Sequence, residues 1–153
     1  MGTKVTITLT VEASSLYKMK NPIPSEVESK CTLSDNNGGK SPNGNIKDFT
    51  SEVYIDNEVH WIGISKDSGY TIAITSIVYK DIKGSVNFFD KKTLNGSSNR
   101  DSEIQHKVMN DSKLVGNTDI YIINFSVFAT ATDSKPFTID PKLKGNPRPN
   151  LIP

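Results

Sequence analysis

The feature that most constrains the fold of this chain is a long alternation of apolar residues between Asp119 and Thr130. One side of the run carries Tyr121, Ile123, Phe125 and Val127, and the other side carries Ile122 and Phe128. Successive side chains of a β-strand point to opposite faces, so this pattern predicts a strand with one apolar face toward the core. We expect the strongest strand of the protein here.

A second alternation lies near the start of the sequence, at residues 4–12. Val5, Ile7, Leu9 and Val11 point one way, and the residues between them are threonines. This pattern predicts a half-buried strand with a polar outer face.

Shorter apolar segments predict further strands. Residues 52–64 hold two apolar stretches around a turn, and residues 70–79 are rich in β-branched side chains, which favour strands. Because the turn signal Asp67-Ser68-Gly69 precedes the second segment, we expect residues 58–79 to form a hairpin. Additional short strands are expected at Ser85–Phe89, at 103–109 and at Phe137–Asp140. Pro141 is then expected to end the pairing, since it has no amide hydrogen.

The spacing of these segments predicts the fold class. No window shows an apolar period of 3.6 residues, and turn signals separate the strands every 8–15 residues. We therefore predict an all-β protein, a sandwich of two antiparallel sheets. We expect six residues to be buried together in the core: Trp61, Ile72, Ile74, Ile123, Phe125 and Val127.

Two regions depart from the strand pattern. Residues 14–50 are rich in proline, glycine and asparagine, and form either a long surface loop or a region with a short strand near Glu28–Leu33. Residues 146–153 are proline-rich and are expected to be extended. We accordingly predict one sandwich domain over residues 1–145, followed by an extended tail at 146–153.

Composition and charge exclude several classes of function. Eighteen basic and seventeen acidic residues give a net charge of +1, with no run of like charge that indicates nucleic acid or a membrane surface. No apolar stretch approaches the length of a membrane span, about 20 residues. The sequence starts without a signal-peptide pattern, so a cytoplasmic location is expected, with export by a signal-less route left open. Cys31 is the only cysteine, so no intrachain disulfide can form.

The candidate chemical motifs are weak. His60 and His106 are the only histidines and neither lies in a nucleophile motif, although a shared metal site is an alternative. Gly38-Gly39-Lys40-Ser41 lacks the first glycine of a phosphate-binding loop, and the preceding Asp-Asn run is explained by turn chemistry. We predict no catalytic residue, no cofactor site and no metal site. Trp61 is expected to be a core residue, and an exposed platform for sugars is its alternative.

The order of several landmarks resembles the PixA/AidA inclusion-body protein family of bacteria. The landmarks are Val5–Val11, Asn21-Pro22, Asp56 to Trp61, Tyr121–Phe128 and Phe137-Thr-Ile-Asp140-Pro141. The resemblance covers most of the chain as scattered positions. It implies a cytoplasmic β-sandwich that accumulates or self-associates, and it transfers no functional residues.

These observations favour a non-enzymatic protein that acts through its surfaces, by self-association or by binding another macromolecule. The alternative is a lectin-like carbohydrate-binding module, which needs exposed aromatic side chains. The candidate contact residues are Tyr17, Tyr54, Tyr70, Tyr79, Leu151 and Ile152. The last two are apolar residues of the tail, and we expect a stiff, extended tail to pack in a groove of its own domain or of a neighbouring copy.

Overall fold

A computed structural model describes residues 4–41 and 44–149 of this chain. Strands make up 45% of the structure, with two small helices. In chain order the elements are β1 (Val5–Val11), α1 (Ala13–Lys18), α2 (Pro24–Ser29), β2 (Cys31–Asp35), β3 (Thr50–Tyr54), β4 (Glu58–Ser65), β5 (Thr71–Tyr79), β6 (Thr93–Asn95), β7 (Ile104–Lys107), β8 (Thr118–Phe128), β9 (Ser134–Ile139) and β10 (Lys142–Asn146). Short 3₁₀ turns lie at Ile46–Asp48 and Ser112–Leu114. Among the described residues, no helix is long and apolar enough to cross a membrane.

The strands form two sheets. The first has the order β2-β1-β4-β7, and the second has the order β3-β10-β8-β5-β6, with β9 also paired to β8. The prediction of a mostly β protein is confirmed, but the prediction of purely antiparallel sheets is wrong, because β1 pairs with β4 and β3 pairs with β10 in parallel. Parallel neighbours need a long crossover, and residues 12–57 supply one between β1 and β4.

The two strongest predicted strands are confirmed. β8 alternates between buried and partly buried positions along its length, and β1 buries all four of its apolar residues. The threonines of β1 lie on its other face and are only partly buried. Alternation of this kind therefore identifies which side of each strand faces the core.

The expected hairpin at 58–79 does not form. β4 lies in the first sheet and β5 in the second, so the turn between them leads from one sheet to the other. The two strands pack against each other instead of pairing, and a Cβ atom added at Gly63 would lie 2.6 Å from Cγ2 of Ile72. A turn signal specifies that the chain reverses, but it does not specify which sheet the next strand joins.

Two further local predictions are wrong. Residues 85–89 form no strand, because their amides bond elsewhere: Val86 N donates to Thr118 O, and Phe88 N donates to the Asp119 carboxylate. Pairing also does not end at Pro141. Its carbonyl accepts a hydrogen bond from Tyr121 N at 3.2 Å, and β10 begins at the next residue.

The segment at 14–50 is structured rather than a continuous loop. It contains most of α1, all of α2 and β2, and one 3₁₀ turn. The expected short strand is present, displaced toward Cys31–Asp35. The two helices have six residues each, too short to show an apolar period in the sequence.

One hydrophobic cluster joins the two sheets. All six predicted core residues are buried in it, which confirms that prediction. The indole of Trp61, from the first sheet, lies edge-on to Tyr121 of the second, with ring centroids 5.9 Å apart. Trp61 Nε1 also donates a hydrogen bond to the Tyr121 hydroxyl at 3.2 Å, so the indole is both packed and satisfied.

Candidate functional site

A shallow apolar groove lies on the open side of β9, between that strand and the segment that leads from α1 into α2. Two adjoining cavities of about 390 and 300 Å³ form it and share Pro22, Pro136 and Phe137. We call it the β9 groove and define it by Met19, Pro22, Pro24, Val27, Pro136 and Phe137. Lys20 and Lys135 lie at one end.

Local sequence explains why the groove is apolar and open. Pro136 has no amide hydrogen, and proline within a strand is confined to sheet edges. The Phe137 ring packs on Phe125 with centroids 5.8 Å apart, so it is held in place while its remaining surface lines the groove. On the opposite wall, Pro24 starts α2, where the missing amide of proline costs nothing. Ile23, just before it, is 58% exposed.

An aromatic and cationic cluster adjoins the groove at Lys135. The Lys135 ammonium lies 4.7 Å from the centroid of the Tyr17 ring and donates a hydrogen bond to the Tyr17 carbonyl. The Tyr17 and Tyr70 rings have centroids 6.0 Å apart. Two of the tyrosines selected from the sequence are thus brought together, and both are half-buried.

The other two tyrosines lie elsewhere, and their hydroxyl groups are engaged. The Tyr54 hydroxyl contacts the Asn37 side-chain amide, and the Tyr79 hydroxyl donates to Ser85 O at 2.9 Å. The four tyrosines therefore do not form one exposed aromatic face. Leu151 and Ile152 lie outside the described residues.

Trp61 offers no sugar platform. Only 1% of its surface is exposed, so the prediction of a core residue is confirmed. Cys31 is also buried. Burial, followed by the charges of Glu28 and Glu12, raises the pKa of its thiol to about 12, and the reactive thiolate is therefore disfavoured at neutral pH.

The two histidines lie on opposite faces of the first sheet and do not share a site. His60 is opposite Gln105 and its ring contacts Glu103 at 2.8 Å, whereas His106 is opposite Val59 and contacts Asp90 at 2.7 Å. The hydrogen bond from His106 lowers the pKa of Asp90. Among the described residues, no group of three or more His, Cys, Asp or Glu side chains is placed to hold a metal ion.

A second, polar depression lies between the edges of the two sheets. It has a volume of about 500 Å³ and is lined by β6, β7 and the residues beside them. Glu103 and His106 belong to its wall, and each already has a hydrogen-bond partner, His60 and Asp90 respectively. It is less suited than the β9 groove to apolar contacts.

One buried carboxylate has an incomplete set of partners. Asp119 is 1% exposed; one of its oxygens accepts from Phe88 N at 3.0 Å and the other has no hydrogen-bond partner. Burial raises the pKa of Asp119 to about 7, although the hydrogen bond from Phe88 acts in the opposite direction. Burial also raises the pKa of the neighbouring Tyr121 above its usual range.

Sequence reasoning missed the residues of the groove. Pro22 and Pro24 lie in the 14–50 segment that the sequence predicts to be irregular, and the predicted strand at Phe137–Asp140 starts just after Pro136. The signal that was present is the position of Pro136 beside the apolar Phe137, since a proline next to a strand predicts an unpaired edge.

The fold is similar to that of a known structure. The crystal structure of an inclusion body protein, PixA, from Burkholderia cenocepacia matches 94% of this chain and 96% of its own, with a TM-score of 0.52 and 8% sequence identity. At this identity the likeness concerns the fold alone. It confirms the resemblance that the order of landmarks predicted.

Sequence comparisons add nothing to this likeness. No protein-family model matches the chain, and no curated protein matches it by sequence.

Proposed function

We propose that this chain is a non-enzymatic protein that acts through its surface, by self-association into an assembly or by binding another macromolecule. The two sheets are proposed to form a sandwich, and the location is proposed to be cytoplasmic. The observation that carries the proposal is the shared fold, over 94% of the chain, with a protein described as an inclusion body protein.

The surface supports the same function. The β9 groove offers apolar area beside an edge of β9 that pairs with no second strand among the described residues, and such edges are surfaces on which other chains add or pack. The Ile23 side chain adds further exposed apolar area next to it. The middle of the groove is lined by Pro22, Pro136 and Phe137, and its polar residues are Lys20, Asn21, Lys135 and Thr138. In the part of the chain that the structure describes, no histidine or carboxylate lines the groove, which suits association better than catalysis.

A carbohydrate-binding module is the second candidate. The half-buried pair of Tyr17 and Tyr70 favours it, because aromatic rings stack on sugars. Lys135 already lies over the Tyr17 ring, however, so a sugar could use that ring only if the lysine moved.

Size-exclusion chromatography with light scattering separates these candidates. A protein that self-associates should show a mass above the 16.8 kDa of one chain, rising with concentration. A mass that stays at one chain over the whole range contradicts self-association. If oligosaccharides then raise the melting temperature, the module is supported instead.

A further inference from the structure

We infer that the β9 groove binds the proline-rich arm at residues 147–152 of a second copy of this chain, with Leu151 and Ile152 as its apolar contacts. This inference rests on the proposed function and names the surfaces that carry it out.

The groove has the chemistry of a site for an extended apolar peptide. Proline-rich segments adopt a stiff, extended conformation and dock in grooves lined by aromatic and apolar side chains. The β9 groove offers the Phe137 ring and three prolines, in a volume of about 390 Å³ at its larger end. The arm offers Pro147, Pro149, Leu151 and Ile152.

The described start of the arm, residues 147–149, lies at the end of the molecule opposite to the groove. β10 runs antiparallel to β8, and its Gly145 N donates to Asn117 O at 3.0 Å, just before β8 begins. Arg148 then contacts the Asp56 carboxylate at 3.5 Å, beside the turn between β3 and β4. The groove lies beside the other half of β8, where Phe137 is opposite Phe125.

The distance between these two places excludes the arm of the same chain. Eight residues of strand separate Asn117 from Phe125, which at about 3.3 Å each is about 26 Å. Ile152 lies six residues after Asn146 and can reach at most about 21 Å in a fully extended chain. The arm also starts in the wrong direction, since β10 runs away from Phe137. Only a second copy can therefore place Leu151 and Ile152 in the groove.

The contact joins two different surfaces of the protein. An arm and a groove that lie at opposite ends make a head-to-tail contact, which extends into a series unless the rotation closes it. Repetition of this one contact builds a larger assembly, and no second interface is needed.

Two variants test the inference: one is altered in the groove and the other is altered in the arm. Pro24→Glu places a charge in the groove at an exposed position where an acid suits the start of α2. The double variant Leu151→Ser and Ile152→Ser removes the apolar contacts of the arm. Ile64→Glu is the control, since Ile64 is 47% exposed and lies on β4 in the other sheet. Circular dichroism and thermal melting establish that each variant is folded.

Masses are measured for each variant alone and for an equal mixture. We expect each alone to associate at least about tenfold more weakly than the unmodified chain, and the control to associate normally. The mixture should recover dimers, because the arm of the groove variant fits the groove of the arm variant. The inference is overturned if the unmodified chain associates while both variants associate equally well, or if the mixture stays monomeric. If the unmodified chain is itself monomeric, the self-association part of the proposed function fails together with the inference.

Discussion

Trp61 and Tyr121 join the two sheets at the residue scale. Each ring is buried, the two lie edge to face, and one hydrogen bond connects them. Phe89 packs on another side of the indole, with centroids 5.7 Å apart. Trp61 therefore packs against aromatic rings on two sides.

Replacing Trp61 with alanine should lower the free energy of unfolding by about 3–5 kcal/mol, because the change adds a cavity to the lost burial. Chemical denaturation measures this loss. Trp61→Phe is the matched control, which keeps most of the volume and should cost less. A loss below about 1 kcal/mol for the alanine variant would contradict the core position, since it falls well under the range for buried aromatic residues.

Asp119 should make stability depend on pH. Its pKa is about 7 in the folded protein against an ordinary value of 3.8, so the folded state holds the proton more tightly than the unfolded state. The bound proton therefore stabilises the folded protein fully below about pH 4. This stabilisation, up to about 4 kcal/mol in total, is lost as the pH rises toward 7.

Denaturation of the Asp119→Asn variant across this pH range isolates the effect. As the pH rises from 4 to about 7, the unmodified protein should lose unfolding free energy relative to the variant. Asp101→Asn, at an exposed position, is the control and should follow the unmodified profile. A constant difference for Asp119→Asn would show that its carboxyl titrates normally.

At the element scale, β4 and β5 carry the chain from the first sheet to the second. Gly63 on β4 lets the Ile72 side chain of β5 approach closely, and a Cβ atom there would also lie 3.0 Å from Ile72 O. The absence of a side chain at this position is thus part of the packing between the two strands.

Gly63→Ala should cost about 1–3 kcal/mol, as is typical of overpacking in a core. Thermal or urea denaturation measures it. Ile64→Ala, the neighbouring exposed position, is the control and should change stability little. An alanine at position 63 that leaves stability unchanged would mean that the two strands are not packed as described.

The features of the fold that could be predicted are those that depend on residues close together in the sequence. The alternation in β1 and β8 predicted both strands and their buried faces, because side-chain period and burial are directly linked. The partners of those strands were not predictable, since parallel pairing of β1 with β4 depends on a distant segment. The same holds for β5, whose preceding turn does not reveal that it joins the other sheet.

The candidate site was only partly predictable for a similar reason. Tyr17 was selected because it is aromatic, but its contact with Lys135 joins residues 118 positions apart. Pro22 and Pro136 form one groove although each alone resembles an ordinary turn residue. Six-residue helices leave no period in the sequence, so the wall that α2 provides had no signal of its own.

At the scale of the whole molecule, the chain combines three features: a mostly β fold, a groove beside β9, and an arm that starts at the far end from that groove. Together they support the proposal that this protein associates with copies of itself. Because the arm and the groove are remote within one chain, association should protect the groove without needing any internal rearrangement.

Hydrogen exchange followed by mass spectrometry, at low and high protein concentration, tests this claim most directly. The account predicts that exchange slows with concentration in peptides that cover residues 19–27 and 134–139, which form the β9 groove. Peptides from β1 and β8 should be unaffected, because their amides are already paired in the sheets. Exchange that is independent of concentration throughout the chain would contradict self-association.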